Sequence, residues 1–285
     1  MSALHRTADP RTDAALRIGV VRYVNTLPLI DGLAGLADVE LRESVPSLLI
    51  DHLLEHDVDV ALCSSIDYQR SPEPLVILPV GILGCDGPTL TVRLYSTRPI
   101  ETVARVYCDT DSHTSVALLR ILLAERYGIE PELVDYHARE HAADHRPVEH
   151  PDAMLLIGDK VVTDSPPAVR YPHQLDLGQL WKEHTGLPFV FALWLAREDA
   201  DHDRLRSIAA VLDRQRRRNS AWIDPMIARR AEPRGWPRDL AREYLHDRLR
   251  FEFTDERRAG LEAFHRKARE HGLIDELRPL RFLSR

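Results

Sequence analysis

The sequence lacks the features that mark membrane and exported proteins. Its longest apolar runs, such as residues 188–196, are far shorter than the roughly 18 residues that a spanning helix needs. The first sixteen residues are polar and contain no apolar stretch typical of a signal peptide. These absences predict a cytoplasmic protein without a membrane partner.

Cysteine is scarce, and the few thiols are not spaced for metal binding or redox chemistry. Cys63, Cys85 and Cys108 are odd in number, and no two of them form a C-x-x-C pair. Each adjoins apolar residues on at least one side. We therefore expect them to be small buried side chains rather than zinc ligands or disulfides.

Motifs of several common enzyme classes are also missing. The chain has no G-x-S-x-G nucleophile elbow, no Walker A loop and no H-E-x-x-H helix, which disfavours the usual hydrolases, nucleotide-binding enzymes and metalloproteases. His137, His141 and His145 recur every four residues and could ligate zinc, but an exposed linker rich in titratable groups is the favoured interpretation. We predict neither a metal nor a cofactor.

Positive charge is in deficit, with a formal net charge of −7, which opposes binding to phosphate backbones. The basic run at 214–218 has no interleaved aromatic residues and has acidic neighbours at Asp199, Asp201 and Asp213. We interpret it as a solvated helix face rather than an RNA-binding surface. The predicted partner is a small molecule and not a nucleic acid.

The chain does contain alternating strand and helix patterns typical of an α/β protein. Its 285 residues correspond to about two domains. Strands are predicted over 16–21, 39–43 and 58–63, and polar side chains follow their ends: Tyr23, Asn25, Ser44, Ser64 and Ser65. Because parallel strands end at one edge of a sheet, these side chains are expected to line a ligand site.

A second group of polar residues lies between a predicted strand over 103–108 and a predicted helix over 116–127. The segment contains Ser112, His113, Thr114 and Ser115. A helix N-terminus presents unpaired N–H groups and a positive dipole end, which favour a carboxylate or a phosphate. A later strand over 153–157 ends in Gly158 and Asp159 at the same predicted edge.

Two further patterns complete the interpretation. The spacing G-x-x-G-x-x-G over 81–87 is not a dinucleotide-binding fingerprint, and we interpret residues 81–88 as a turn between two strands. From about residue 203 to residue 274 the pattern is helical, with no strand signal. The α/β units therefore come first and a helical segment comes last.

Several segments, taken together in chain order, resemble one family. Residues 18–29 look like its opening G-x-x-x-Y-x-N-x-x-P-L signature, and five later segments follow its pattern: 45–47, 60–68, 109–115, 156–159 and 181–192. This family comprises the menaquinone-biosynthesis enzymes of the futalosine route. The Tyr-x-Asn at the opening resembles its chorismate dehydratases more than its sister synthases.

The resemblance implies a two-lobed α/β fold like that of type II periplasmic binding proteins, with mixed sheets and a C-terminal helical segment. A polar tail is expected over 1–16, one lobe over 17–94 plus 193–285, and a second lobe over 95–192. The ligand is expected in the cleft between the lobes.

The implied substrate is the dianion chorismate, and the implied reaction is a hydro-lyase step that gives 3-[(1-carboxyvinyl)oxy]benzoate without a cofactor. Asn25 and Thr91 correspond to the family's Asn and Ser and are the implied catalytic residues. The family usually has Ser in place of Thr91 and Arg in place of His113. Two alternatives stay open: a 1,4-dihydroxy-6-naphthoate synthase of the same pathway, and a non-catalytic small-carboxylate-binding protein of the same fold.

The other residues expected to bind substrate are those at the predicted edges: Tyr23, Ser44, Ser64, Ser65, Ser112, His113, Thr114, Ser115, Gly158 and Asp159. No protein base is obvious from the sequence. The enolpyruvyl carboxylate of the substrate could itself take the proton, which leaves the protein to hold that arm in position.

Overall fold

The computed structural model describes residues 15–137 and 151–284, and these form two sheets with helices packed around them. The first sheet has six strands in the order β11-β4-β10-β3-β1-β2. They are β1 (Leu16–Val21), β2 (Val39–Ser44), β3 (Val60–Ser64), β4 (Leu75–Cys85), β10 (Phe189–Arg197) and β11 (Leu249–Arg250). The second has five in the order β7-β6-β8-β5-β9. They are β5 (Val92–Ser96), β6 (Arg105–Asp109), β7 (Glu132–Tyr136), β8 (Ala153–Ile157) and β9 (His173–Asp176).

Both sheets are mixed, as predicted. In the first, β1 runs parallel to β2 and β3, whereas β10 runs antiparallel to β3 and β4. In the second, β6 is parallel to β7 and β8, and β5 is antiparallel to β8 and β9. The sequence VALCS of β3 is buried throughout, as expected for a strand inside a sheet.

Helices cover the sheets, and the longer ones begin at polar caps. Their bounds are α1 (Leu27–Ile30), α2 (Leu49–Leu54), α3 (Asp67–Arg70), α4 (His113–Tyr127), α5 (Lys160–Thr163), α6 (Leu177–Thr185), α7 (His202–Ser220), α8 (Ile223–Met226), α9 (Arg238–Arg242) and α10 (Asp255–Glu270). Asp176, Asp201 and Thr254 accept N–H bonds at the starts of α6, α7 and α10. None of the helices over 15–137 and 151–284 has the length and apolar character needed to span a bilayer.

Shorter helical turns complete the inventory. The 3₁₀ turns are Val24–Thr26, Leu33–Gly35, Pro46–Leu48, Ile100–Thr102 and Glu232–Arg234, and two π-helical segments span Ile227–Ala231 and Glu243–Arg248. The C-terminal region is therefore helical as predicted, except that β11 adds a short edge strand that pairs with β4. A two-residue strand is too short to produce an alternating pattern.

The predicted turn over 81–88 is wrong in its first half. Gly81 and Gly84 lie inside β4, and Gly87 alone of the three has a positive φ, of 124°. A Cβ at Gly84 would come within 2.7 Å of the Phe189 carbonyl oxygen, so glycine permits close packing of β4 here. The spacing of Gly81 and Gly84 therefore reflects close packing of β4 and not a turn.

The chain crosses between the sheets twice, between β4 and β5 and between β9 and β10. All of β5 belongs to the second sheet and all of β10 to the first, so the predicted limits at 94/95 and 192/193 fall inside strands. The assignment of residues to two lobes stays a prediction at this level of detail. His141 and His145 and the polar tail over 1–14 lie outside the described residues.

An aromatic cluster fills the core where β10, α6 and α10 meet. Phe189 contacts Trp181 and Phe264 edge-on, with ring centroids 5.2 and 5.0 Å apart, and all three side chains are fully buried. The three cysteines are buried free thiols, as predicted, and burial raises the pKa of Cys108 to about 12. The prediction of a solvated arginine run is wrong for Arg216, which is buried and donates to the Val80 carbonyl at 2.9 Å.

An ionic cluster joins α4 to α6 and α10. Glu125 of α4 accepts from His184 of α6 at 2.5 Å, from Lys267 of α10 at 2.6 Å and from His271, the residue that follows α10, at 2.9 Å. Burial raises the pKa of Glu125, but these hydrogen bonds outweigh burial and lower it to about 2. The carboxylate therefore stays ionised and connects helices that pack on different sheets.

The contact of α10 with the chain before β10 leaves no room for a side chain at Gly260. A Cβ there would lie 2.1 Å from the Pro188 carbonyl oxygen, so Gly260→Ala must displace α10 or the backbone at Pro188. We expect Gly260→Ala to lower the free energy of unfolding by about 1–3 kcal/mol in urea titrations. Gly35→Ala is the control, because nothing lies within 4 Å of its added Cβ. Equal stability of the two variants would contradict the packing argument.

Candidate active site

A cavity lies between the two sheets, at the ends of β1, β3 and β8 and beside the start of β5. Its empty volume is about 540 Å³, part of which is open to solvent, and its lining contains no charged residue among those described. We call it the central cavity. Seven of the predicted site residues line it: Tyr23, Asn25, Ser64, Thr91, Ser112, Ser115 and Gly158.

The other five predicted residues are not part of the lining. The Thr114 hydroxyl accepts from the Ile66 N–H at 3.2 Å, and the Ser65 hydroxyl donates to the Val190 carbonyl at 2.8 Å. Ser44 lies half-buried at the end of β2, paired in register with Val21. The side chains of Ser65 and Thr114 therefore connect the segments around the cavity and do not face it. A position at the end of a strand does not by itself predict which of these two roles a side chain has.

His113 and Asp159 likewise make contacts between elements. His113 Nδ1 lies 2.8 Å from Asp67 Oδ1, and this hydrogen bond raises the pKa of His113. The Asp159 carboxylate accepts from the Val24 N–H at 3.0 Å, which places a negative charge at the N-terminus of the 3₁₀ turn that holds Asn25. Both side chains therefore form hydrogen bonds with neighbouring segments and do not line the cavity.

Asn25 has the most informative environment in the site. The Thr26 hydroxyl donates to the Val21 and Tyr23 carbonyls at 2.7 and 2.8 Å, which orders the turn around Asn25. The Asn25 Oδ1 atom is buried and has no hydrogen-bond partner among the described residues. A buried acceptor without a partner is costly unless a ligand completes it. Asn25 Oδ1 can therefore accept a hydrogen bond from a hydroxyl in the cavity.

Thr91 reaches the cavity from a strained loop. Leu90 has a positive φ of 66°, a conformation that non-glycine residues adopt at a cost of about 1–3 kcal/mol. The Asp176 carboxylate accepts from the Thr89 and Leu90 N–H groups at 2.9 and 2.7 Å, which stabilises this loop. Thr91 Oγ1 lies 2.5 Å from the Tyr244 hydroxyl. The conformation of this loop thus sets the position of the Thr91 hydroxyl.

The N-terminus of α4 borders the same cavity. Ser112 is its cap and accepts from the Ser115 N–H at 3.2 Å, and the Ser112 hydroxyl donates to the Ser115 hydroxyl at 3.0 Å. The helix is 15 residues long, so its first turn carries a substantial positive dipole. Two hydroxyls and this dipole form a site suited to a carboxylate, as the sequence predicts.

A buried charge network supports Tyr23. Its hydroxyl donates to Asp111 Oδ2 at 2.5 Å, and Lys160 Nζ donates to the same atom at 2.9 Å. Lys160 also pairs with Asp109, whose pKa is raised by burial and lowered by Lys160. Gly158 packs against the Tyr23 ring, because a Cβ added at Gly158 would lie only 3.1 Å from the ring atoms. This contact and the hydrogen bond to Asp111 hold the Tyr23 ring beside the cavity.

Two sheets of α/β units with a cavity between them define the class of periplasmic-binding-protein-like folds. Solved structures agree: a structural-genomics protein of Archaeoglobus fulgidus aligns with a TM-score of 0.68 at 18% identity, covering 92% of this chain and 99% of that one. The periplasmic aliphatic sulphonate binding protein SsuA of Escherichia coli gives 0.62 at 18% identity, covering 92% and 94%. At these identities the likeness concerns the fold.

Sequence comparison identifies the family. A family model described as menaquinone biosynthesis matches residues 16–270. The curated chorismate dehydratase of Thermus thermophilus is 31% identical over 261 residues, which are 87% of this chain and 93% of that protein. The chain belongs to the menaquinone biosynthesis family.

Proposed function

We propose that this protein is a chorismate dehydratase, a carbon–oxygen lyase that removes water from chorismate in menaquinone biosynthesis. The similarity to the Thermus thermophilus enzyme over most of both chains supports this activity. The observation that carries it in the structure is the unpartnered Asn25 Oδ1 in a cavity lined by uncharged residues. A cytoplasmic location and a small dianionic substrate are part of the same proposal.

The N-terminus of α4 suits the ring carboxylate of the substrate. The proton to be lost lies on the ether-bearing ring carbon, vinylogous to that carboxylate, so negative charge spreads toward it on deprotonation. The Ser115 hydroxyl and the positive end of the α4 dipole stabilise this charge in the transition state more than in the ground state. This orientation places the departing hydroxyl toward Asn25 and Thr91.

Asn25 Oδ1 then accepts a hydrogen bond from the departing hydroxyl, and Thr91 donates a hydrogen bond to the oxygen of that hydroxyl. The described lining residues of the cavity include no carboxylate, histidine or lysine that could act as the base. The enolpyruvyl carboxylate takes the proton, which passes to the departing hydroxide, so water leaves and the ring becomes aromatic. The protein contributes orientation and charge stabilisation.

The proposal is tested by incubating the purified protein with chorismate and following the appearance of an aromatic product by ultraviolet absorbance and mass spectrometry. We expect loss of one water per turnover. Binding of chorismate without turnover would favour a non-catalytic receptor instead. Turnover only of the cyclic futalosine-derived substrate would assign the sister synthase activity.

A further inference from the structure

Tyr244 lines the central cavity and comes from a part of the chain whose sequence contains no motif that predicts a functional site. It lies in the π-helical segment Glu243–Arg248, is 1% exposed, and stacks on Trp236 with ring centroids 5.0 Å apart and planes at 17°. Its hydroxyl lies 2.5 Å from Thr91 Oγ1, and Asn25 lines the same cavity. The stacked ring restricts where this hydroxyl can lie.

The direction of the hydrogen bond between Tyr244 and Thr91 follows from the donors available. Burial raises the pKa of Tyr244, so its phenol keeps its proton and can donate to Thr91 Oγ1 at 2.5 Å. Thr91 then has its own hydroxyl hydrogen available for the cavity.

We propose that Tyr244 is a positioning residue for dehydration, which holds the Thr91 hydroxyl so that its hydrogen points at the departing hydroxyl. The inference rests on the proposed function. In the step itself the carbon–hydrogen bond at the ether-bearing carbon breaks, its electron pair enters the ring, and the carbon–oxygen bond to the hydroxyl breaks. The abstracted proton joins the hydroxide to form water, so Tyr244 neither gains nor loses a proton overall.

The first test is Tyr244→Phe, which keeps the ring and its stacking on Trp236 but removes the hydroxyl. We expect kcat for chorismate to fall about 10- to 100-fold, because the Thr91 hydroxyl loses its orientation in the transition state. KM is expected to change less than about threefold, since the carboxylate site at α4 is untouched. Tyr171→Phe is the matched control, because Tyr171 is also buried and donates to the Pro151 carbonyl at 2.8 Å away from the cavity.

A double-mutant cycle separates positioning from a merely structural role. If Tyr244 acts through Thr91, removal of its hydroxyl costs much less kcat in a Thr91→Val background than in the wild type. Equal losses in both backgrounds would overturn the inference, as would Tyr244→Phe with normal kcat. An inactive wild type, by contrast, would refute the proposed function itself, so the two failures are distinguished by the wild-type assay.

Discussion

Replacement of Asn25 by alanine is expected to lower kcat for chorismate about 100- to 1000-fold, the range seen when a preorganised transition-state hydrogen bond is lost. The reason is geometric: Asn25 Oδ1 is the buried acceptor in the cavity that lacks a protein partner. Steady-state kinetics with chorismate measure the effect.

Two companion variants make this result specific. Asn25→Asp keeps the shape but adds a negative charge beside a dianion, so we expect a higher KM as well as a lower kcat. Arg22→Ala is the control, because its exposed side chain pairs only at the surface with Glu43 and we expect near-normal turnover. Near-normal rates for Asn25→Ala would remove Asn25 from the chemistry.

Strand-end and helix-cap reasoning could find much of the site from sequence. Tyr23, Asn25 and Ser64 follow buried strands, and Ser112 caps a helix, so local patterns place them near one edge. Parallel pairing of β1 with β3 then brings the first three residues to one edge of the first sheet, whereas Ser112 reaches the cavity from the second sheet. The positions of these residues depend mainly on local geometry, which is why they could be predicted from the sequence.

The remaining parts of the site depend on contacts between distant segments. Tyr244 is separated from Thr91 by 153 positions, and its π-helical segment resembles any polar helix in sequence. Thr114 follows Ser112 by two positions, yet its hydroxyl accepts from Ile66 instead of facing the cavity. The direction of a side chain at a helix start depends on the neighbour it meets, and periodicity does not supply that neighbour.

Lys160 illustrates the same limit, and its loss is expected to have the largest effect on stability. Lys160→Met leaves Asp109 and Asp111 without the cation that they share, and the side chain of Asp109 is 1% exposed. Removing one partner from a buried charge cluster costs about 3–5 kcal/mol of unfolding free energy. Urea unfolding at pH 7 measures this loss. Asp111→Asn in the same background is expected to recover part of it.

Lys182→Met is the matched control, because Lys182 pairs with Asp86 at 2.6 Å with both side chains about one-third exposed, and we expect a loss below about 1 kcal/mol. A loss at Lys160 as small as that control would show that the carboxylates need no buried cation.

The Lys160→Met deficit is also expected to depend on pH. Burial already raises the pKa of Asp109 and Lys160 opposes the rise, so without Lys160 the folded-state pKa moves further above the unfolded value of 3.8. A group with a raised folded pKa loses stability as pH increases through that pKa. The difference from wild type should therefore be smallest near pH 4 and grow as the pH is raised toward 7. A deficit that stays constant across this window would mean that the variant is destabilised by lost packing of the lysine stem and not by an uncompensated carboxylate.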